Sequence, residues 1–182
     1  MKKQILGFAK MAMSSMFVLF SFSSCDKVLP ESLDFDMENV SYTFTLPATD
    51  TTGQMVISTH DMIINIDSVL LSKNIDNYDV ESLNLKSAEL STSTPDANFN
   101  SFASASAYIQ NISQPETKIA DQNAVPKNVQ KVELNVNKKI NIIEFVKEKP
   151  ATFIIKGNVT EPLKKQMKIT MNASYKMTVK KR

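Results

Sequence analysis

The C-terminal segment, residues 168–180, alternates apolar and polar side chains with a period of two. Its apolar members are Ile169, Met171, Ala173, Tyr175, Met177 and Val179. Successive side chains of a β-strand point to opposite faces, so this spacing puts all of them on one face. A helix would distribute the same residues around its whole circumference. The segment therefore predicts a long β-strand with one buried face.

The same period predicts strands elsewhere in the chain, over residues 41–46, 53–58, 83–90, 103–112, 117–120, 129–136 and 152–159. The alternation slips by one residue at Ser87 and Ala88, which predicts a β-bulge there. Two segments favour short helices instead. One covers residues 66 to about 74 behind the capping residues Asn65 and Asp67; the other covers 140–146 and ends before Pro150.

Short strands with one apolar face each bury those faces by packing sheet against sheet. The predicted fold class is therefore all-β. In detail, we expect an immunoglobulin-like antiparallel β-sandwich of seven or eight strands with one or two short helices in its connections. The chain has only three glycines, whereas tightly coiled barrels use repeated glycine kinks. The sandwich is therefore preferred, and closure into a barrel stays open.

The N-terminus carries Lys2, Lys3 and Lys10, followed by an apolar run over residues 11–22 that is too short to span a bilayer. Ser23 and Ser24 then precede Cys25. This order resembles the signal peptide of a bacterial lipoprotein. The resemblance implies that residues 1–24 are removed and that acyl chains on Cys25 anchor the protein in a membrane. An ordinary secretory signal, cut near Ser23 or Ser24, is the alternative.

Cys25 is the only cysteine of the chain. Exported proteins with disulfides carry an even number of cysteines, so a single one favours acyl attachment. Residues 25–38 are acidic and contain Pro30, which predicts a flexible tether between the anchor and a β-sandwich domain over residues 39–182. The acidic positions Asp34, Asp36 and Glu38 lie in this tether.

The charge balance argues against a nucleic-acid partner. Loss of the three lysines of the signal reduces the 21 basic residues to 18, against 19 acidic ones, and the chain has no tryptophan. A basic stripe with aromatic residues, which nucleic-acid binding uses, is missing from the sequence. The expected partners are the membrane, through the acyl chains, and an envelope protein or glycan.

Catalytic motifs are sparse. His60 is the only histidine, so a metal site with two histidines or a Cys–His pair cannot form within one chain. Asp61 follows it directly and would point to the other face of a strand. We therefore expect no catalytic residues, no metal and no cofactor. A hydrolase that uses carboxylates such as Asp96, Asp121 and Glu133 is kept as a third alternative.

Two groups of residues are candidates for contacts outside the fold. Asn98, Phe99, Asn100 and Phe102 combine amides and aromatic rings in a predicted turn, as a sugar-binding site does, although Phe99 and Phe102 also fit a core-capping role. Thr51 and Ser68 lie in Asp-Thr-Thr and Asp-Ser-Val tripeptides that resemble the O-glycosylation acceptor of some Gram-negative bacteria.

The order of signal, acidic segment and small β-domain resembles outer-membrane lipoproteins of Gram-negative bacteria. The resemblance implies a protein of the cell envelope, lipid-anchored in the outer membrane. Its expected function is non-enzymatic binding or adhesion that recognises a protein or a glycan. The alternative is a structural or assembly subunit of an envelope complex that pairs through an edge strand.

Overall fold

The computed structural model describes residues 30–62, 64–75, 77–147 and 150–182. Its strands are β1 (Ser32–Leu46), β2 (Gly53–Met62), β3 (Tyr78–Thr92), β4 (Phe102–Gln110), β5 (Thr117–Gln122), β6 (Lys131–Val136), β7 (Ala151–Val159) and β8 (Met167–Lys181). Two short helices, α1 (Ile66–Ser72) and α2 (Ile143–Lys147), lie in the connections before β3 and β7. The predicted all-β fold class is confirmed.

The eight strands form a single antiparallel sheet in the order β1-β8-β3-β6-β5-β4-β7-β2. This sheet curls into a half-barrel whose two edges are β1 and β2. It consists of two four-stranded halves. Among the described residues, strand pairing connects the halves only between β5 and β6, over the two residue pairs Ala120–Val136 and Asp121–Asn135.

Several β-bulges give the sheet its curl. The register shifts in β1 between Met37 and Val40, in β2 between Val56 and Ser58, and in β3 between Leu85 and Ser87. A bulge adds one residue to one strand, which bends that strand and increases its twist. The bulge predicted at Ser87 and Ala88 is present close by, since the register of β3 shifts between Leu85 and Ser87. Bulges rather than glycines therefore allow this glycine-poor chain to curl.

The core lies inside the curl and takes side chains from both halves of the sheet. Strand β8 contributes the predicted alternation: Ile169, Met171, Met177 and Val179 are each at most 1% exposed, while Lys168 and Lys176 face solvent. Burying each such apolar side chain contributes about 1.5–3 kcal/mol. The hydrophobic effect on this one face holds the fold together.

The predicted flexible tether over residues 25–38 is wrong for its C-terminal part. Strand β1 begins at Ser32, and Leu33, Phe35 and Met37 pair in register with Val179, Met177 and Tyr175 of β8. Leu33, Phe35 and Met37 are partly buried against the core and alternate with polar residues. The acidic residues between them obscured this period-two pattern. Residues 25–29 and the signal over 1–24 lie outside the described residues.

Both helices are present. Asn65 caps α1 as predicted, since its side chain accepts a hydrogen bond from the Ser68 N–H. Helix α2 begins later than predicted, because the Asn141 side chain accepts from the N–H groups of Leu83 and Ile143 and fixes the helix start. Among the described residues, neither helix has the length and apolar character needed to cross a membrane.

Candidate functional site

Of the two interpretations of Phe99 and Phe102, the core-capping one is confirmed and the ligand-contact one is wrong. Phe99 is 2% exposed and Phe102 is 1% exposed, and their rings pack together with centroids 5.7 Å apart. Burial in the core leaves no ring face for a sugar. Asn98 and Asn100 hold the loop instead: the Asn98 side chain accepts from the Asn100 N–H, and the Asn100 amide donates to Asn128.

The two predicted O-glycosylation acceptors are exposed. Thr51 lies in the turn between β1 and β2, where its N–H donates to the Thr49 hydroxyl. Ser68 lies in the first turn of α1, and its N–H binds the capping residue Asn65. Modification of either hydroxyl stays a prediction. Cys25, the predicted lipid attachment point, lies outside the described residues.

His60 and Asp61 separate as the strand alternation predicts. Asp61 pairs with Thr152, whose hydroxyl lies 3.4 Å from its Oδ1 atom, whereas His60 pairs with Phe153. The imidazole stacks on the ring of Tyr42 at a centroid distance of 4.5 Å and an interplanar angle of 9°. Asp61 therefore does not orient His60, and the arrangement does not resemble a catalytic pair.

This stack lies where the half-barrel comes closest to closing. Tyr42 is on β1 and His60 is on β2, so a side-chain contact joins the two edges of the sheet. Within the described residues, no backbone hydrogen bond joins β1 to β2. We call the gap between residues 40–42 and 60–62 the seam. Strand edges in this state expose unpaired N–H and C=O groups, which another chain can use.

A cleft of about 260 Å³ opens at the seam. Its walls come from four strands, β1, β2, β7 and β8, and are mainly apolar or aromatic: Val40, Ser41, Tyr42, His60, Asp61, Met62, Phe153, Met171, Ala173 and Tyr175. Phe153 meets the Tyr42 ring edge-on, with centroids 6.1 Å apart. Apolar clefts with a few polar groups are the usual form of a binding site.

The Tyr42 hydroxyl is buried, and no described atom forms a hydrogen bond with it. Burial raises the pKa of this phenol; the nearby Ser58 side chain opposes the shift without reaching hydrogen-bond geometry. Burial also raises the pKa of Tyr175 at the base of the cleft. A buried polar group without a partner costs about 1–3 kcal/mol. The seam therefore contains one buried hydroxyl group whose hydrogen-bonding capacity is unsatisfied among the described residues.

A wider and shallower depression of about 680 Å³ lies on the outer face beside β1. It contains two ion pairs: Lys176 Nζ lies 2.6 Å from Asp34 Oδ2, and Lys86 Nζ lies 2.6 Å from Asp36 Oδ2. The hydrogen bonds from Lys176 and Thr178 hold the pKa of Asp34 below its ordinary value. Exposed pairs of this kind contribute little to stability. They set the charge pattern along β1.

The described residues contain no group of three or more histidine, cysteine, aspartate or glutamate side chains that could hold a metal ion. No protein-family model matches the chain, and no curated protein matches it in sequence. The seam is thus the candidate site on geometry alone. Sequence reasoning missed it because alternation identifies strands but not which two of them become the edges of the sheet.

Proposed function

We propose that this chain is a lipid-anchored module of the cell envelope that binds another protein and has no enzymatic role. In this proposal, acyl chains on Cys25 hold it in the outer membrane, and the seam receives the partner. The observation that supports it best is the pair of sheet edges, β1 and β2. They flank an apolar cleft, and among the described residues their backbones do not pair with each other. A partner strand can add to such an edge and place a side chain in the cleft.

The geometry supports this edge-pairing form of binding more than glycan recognition. Sugar binding commonly uses an aromatic ring with an open face, and Phe99 and Phe102 are buried in the core. Protein binding by strand addition needs only backbone groups and a pocket for alternate side chains. Val40, which is 36% exposed at the seam, supplies apolar surface beside the free backbone.

The proposal includes the sandwich interpretation of the fold. The two halves, β1-β8-β3-β6 and β5-β4-β7-β2, would act as the two layers of an immunoglobulin-like sandwich in the broad sense. Two observations support it: the halves share only a short pairing at β5 and β6, and Tyr42 of one half contacts Phe153 of the other. A rigid layered scaffold holds a binding edge in a fixed position.

Site-specific photocrosslinking in native envelopes tests the binding site. A photoreactive residue replaces Val40 at the seam, and the matched control replaces Ile112, which is 91% exposed in the loop after β4. We expect a discrete protein adduct from position 40 and none from position 112. Introducing Met37→Lys, an inward charge on the edge strand, should remove the adduct. Equal adducts from both positions would contradict a seam-specific partner.

The anchor is tested separately. Expression with the native leader, followed by mass measurement of the mature N-terminus, should give an acylated Cys25. A Cys25→Ser variant should remain unprocessed or leave the membrane fraction. A mature chain that begins at another residue with an unmodified thiol would refute the lipoprotein part of the proposal.

A further inference from the structure

One stretch of β1 has an edge without a strand neighbour among the described residues. Tyr42 stacks on His60, and the two strands run in opposite directions, so Met62 at the end of β2 lies near Val40. Residues 32–37 therefore extend beyond the end of β2. We call them the free edge. Among the described residues, β8 is the only strand that pairs with them.

The two faces of the free edge differ in chemistry. Leu33, Phe35 and Met37 point inward and are partly buried against the core. Asp34 and Asp36 point outward, and their side chains are 51% and 45% exposed. A strand added here would meet apolar groups on one face and carboxylates on the other, because cross-strand neighbours share a face.

A second copy of this chain fits the free edge poorly in its central registers. When two copies of an antiparallel strand pair about a two-fold axis with matched faces, the axis passes through one residue. An axis at Phe35 puts Asp34 opposite Asp36 of the other copy, and an axis at Asp34 or Asp36 puts that residue opposite itself. Like charges directly opposite each other destabilise a sheet. The free edge therefore disfavours its own copy in the three registers that centre on Asp34, Phe35 or Asp36.

The carboxylates of the free edge already have cationic partners on the inner strands. Lysines of the inner strands, Lys176 on β8 and Lys86 on β3, face the aspartates of β1 at 2.6 Å. Each aspartate is paired on its inner side and remains about half exposed. A basic strand outside β1 would enclose each carboxylate between two cations.

We propose that the partner presents an extended segment in which apolar and basic side chains alternate. This inference rests on the proposed function, since it names the chemistry of the partner that binds at the seam and extends along β1 to the free edge. The segment adds to the free edge by antiparallel pairing. Its apolar side chains cover Leu33, Phe35 and Met37, and its lysines or arginines lie opposite Asp34 and Asp36.

Peptide binding to the full chain in detergent tests the inference. The probe is a short labelled peptide in which lysine and valine alternate. One control peptide alternates glutamate and valine, and another has the lysines and valines in two blocks. We expect fluorescence anisotropy to rise only with the alternating basic peptide, and binding to weaken with added salt. Equal binding of the block peptide would overturn the inference, because net charge alone would then explain it.

Matched variants locate the binding. Asp34→Asn with Asp36→Asn should weaken the alternating basic peptide by roughly 2- to 25-fold, from two cross-strand charge pairs. The control, Glu89→Gln with Asp121→Asn, removes the same charge from β3 and β5, which have neighbours on both sides, and should leave binding unchanged. Equal weakening by both double variants would overturn a location at the free edge.

Hydrogen exchange gives a readout that does not depend on these variants. Amides in residues 32–37 should become protected when the alternating peptide binds, because half of them gain a backbone partner. Protection elsewhere without protection here would overturn the inference. If the peptide fails while the crosslink from position 40 persists, only the partner chemistry is wrong. If both fail, the proposed function is wrong as well.

Discussion

Strands β8 and β1 are hydrogen-bonded neighbours, yet they differ sharply in burial. Strand β8 has a neighbour on each side, and its inner face is almost completely buried. Strand β1 has a neighbour on one side, and its inward residues Leu33, Phe35 and Met37 are only partly buried. A side chain on an interior strand is covered by the two neighbouring strands and by the core, whereas a side chain on an edge strand has a neighbouring strand on one side alone. Stability therefore concentrates in β8, whereas β1 keeps one edge without a strand neighbour among the described residues.

The largest test of this comparison uses one cross-strand pair. Ile169 of β8 and Phe44 of β1 are directly opposite in the register, and Ile169 is completely buried while Phe44 is only partly buried. Ile169→Ala should lower the free energy of unfolding by about 2–5 kcal/mol. Phe44→Ala removes more atoms but should cost less, about 1–2 kcal/mol, because its ring keeps solvent contact in the folded state.

Urea unfolding followed by circular dichroism measures both changes. Val56→Ala on the outer face of β2, where Val56 is 56% exposed, serves as a control and should lie within about 0.5 kcal/mol of the wild type. If Phe44→Ala cost more than Ile169→Ala, the edge strand would carry the core, and the comparison between interior and edge would be wrong.

The same contrast explains how much of the fold the sequence could predict. Alternation identified each strand, because a buried face on a pleated strand leaves a period-two pattern in any register. It also located the bulge at Ser87. The pattern was overlooked in residues 32–37 because Asp34 and Asp36 stand out as charge, while an edge strand needs only a half-buried inner face. Charge on the outer face of an edge is a normal protection against aggregation.

The candidate site was not predictable by the same reasoning. The contact between Tyr42 and His60 depends on which strands become edges, and this is decided by the pairing of β8 with both β1 and β3. Periodicity does not encode that choice. Phe99 and Phe102 lie in and beside a turn, where alternation assigns no face. The sequence left a core-capping role and a ligand-contact role open, and the packing of the two rings decides for the first.

The second test contrasts a glycine on an interior strand with a glycine on an edge strand. Gly157 lies in β7, where an added Cβ would come 3.0 Å from Phe102 Cδ1. Gly53 begins the edge strand β2 with φ +103° and has open space around it. Gly157→Ala should cost about 1–3 kcal/mol through overpacking. Gly53→Ala should cost about 1–2 kcal/mol through backbone strain.

A second substitution separates the two causes. In a Phe102→Leu background, the smaller side chain leaves room for the new methyl group, so Gly157→Ala should recover most of its loss. Gly53→Ala should recover nothing, since its cost does not come from a neighbour. Thermal unfolding of the four variants measures this, and an equal recovery at both glycines would remove the distinction between packed interior and strained edge.

The smallest expected effect concerns the seam itself. Tyr42→Phe removes a buried hydroxyl that has no hydrogen-bond partner among the described residues, so the variant should gain up to about 1 kcal/mol at neutral pH. The gain should increase at alkaline pH. Burial raises the pKa of Tyr42 above its ordinary value of 10.0, so the folded wild type resists ionisation that the unfolded chain undergoes. The free energy of unfolding of the wild type is therefore unaffected by Tyr42 below pH 10 and declines as the pH rises further.

Tyr175 provides the internal comparison for this test. Its pKa is also raised by burial, so Tyr42→Phe should keep a residual alkaline loss of stability, and the double variant with Tyr175→Phe should lose most of the dependence. Unfolding by urea between neutral pH and about pH 11 measures both curves. A loss of stability in Tyr42→Phe at neutral pH would mean that the hydroxyl has a partner in solution and that the seam is held shut by more than the ring of His60.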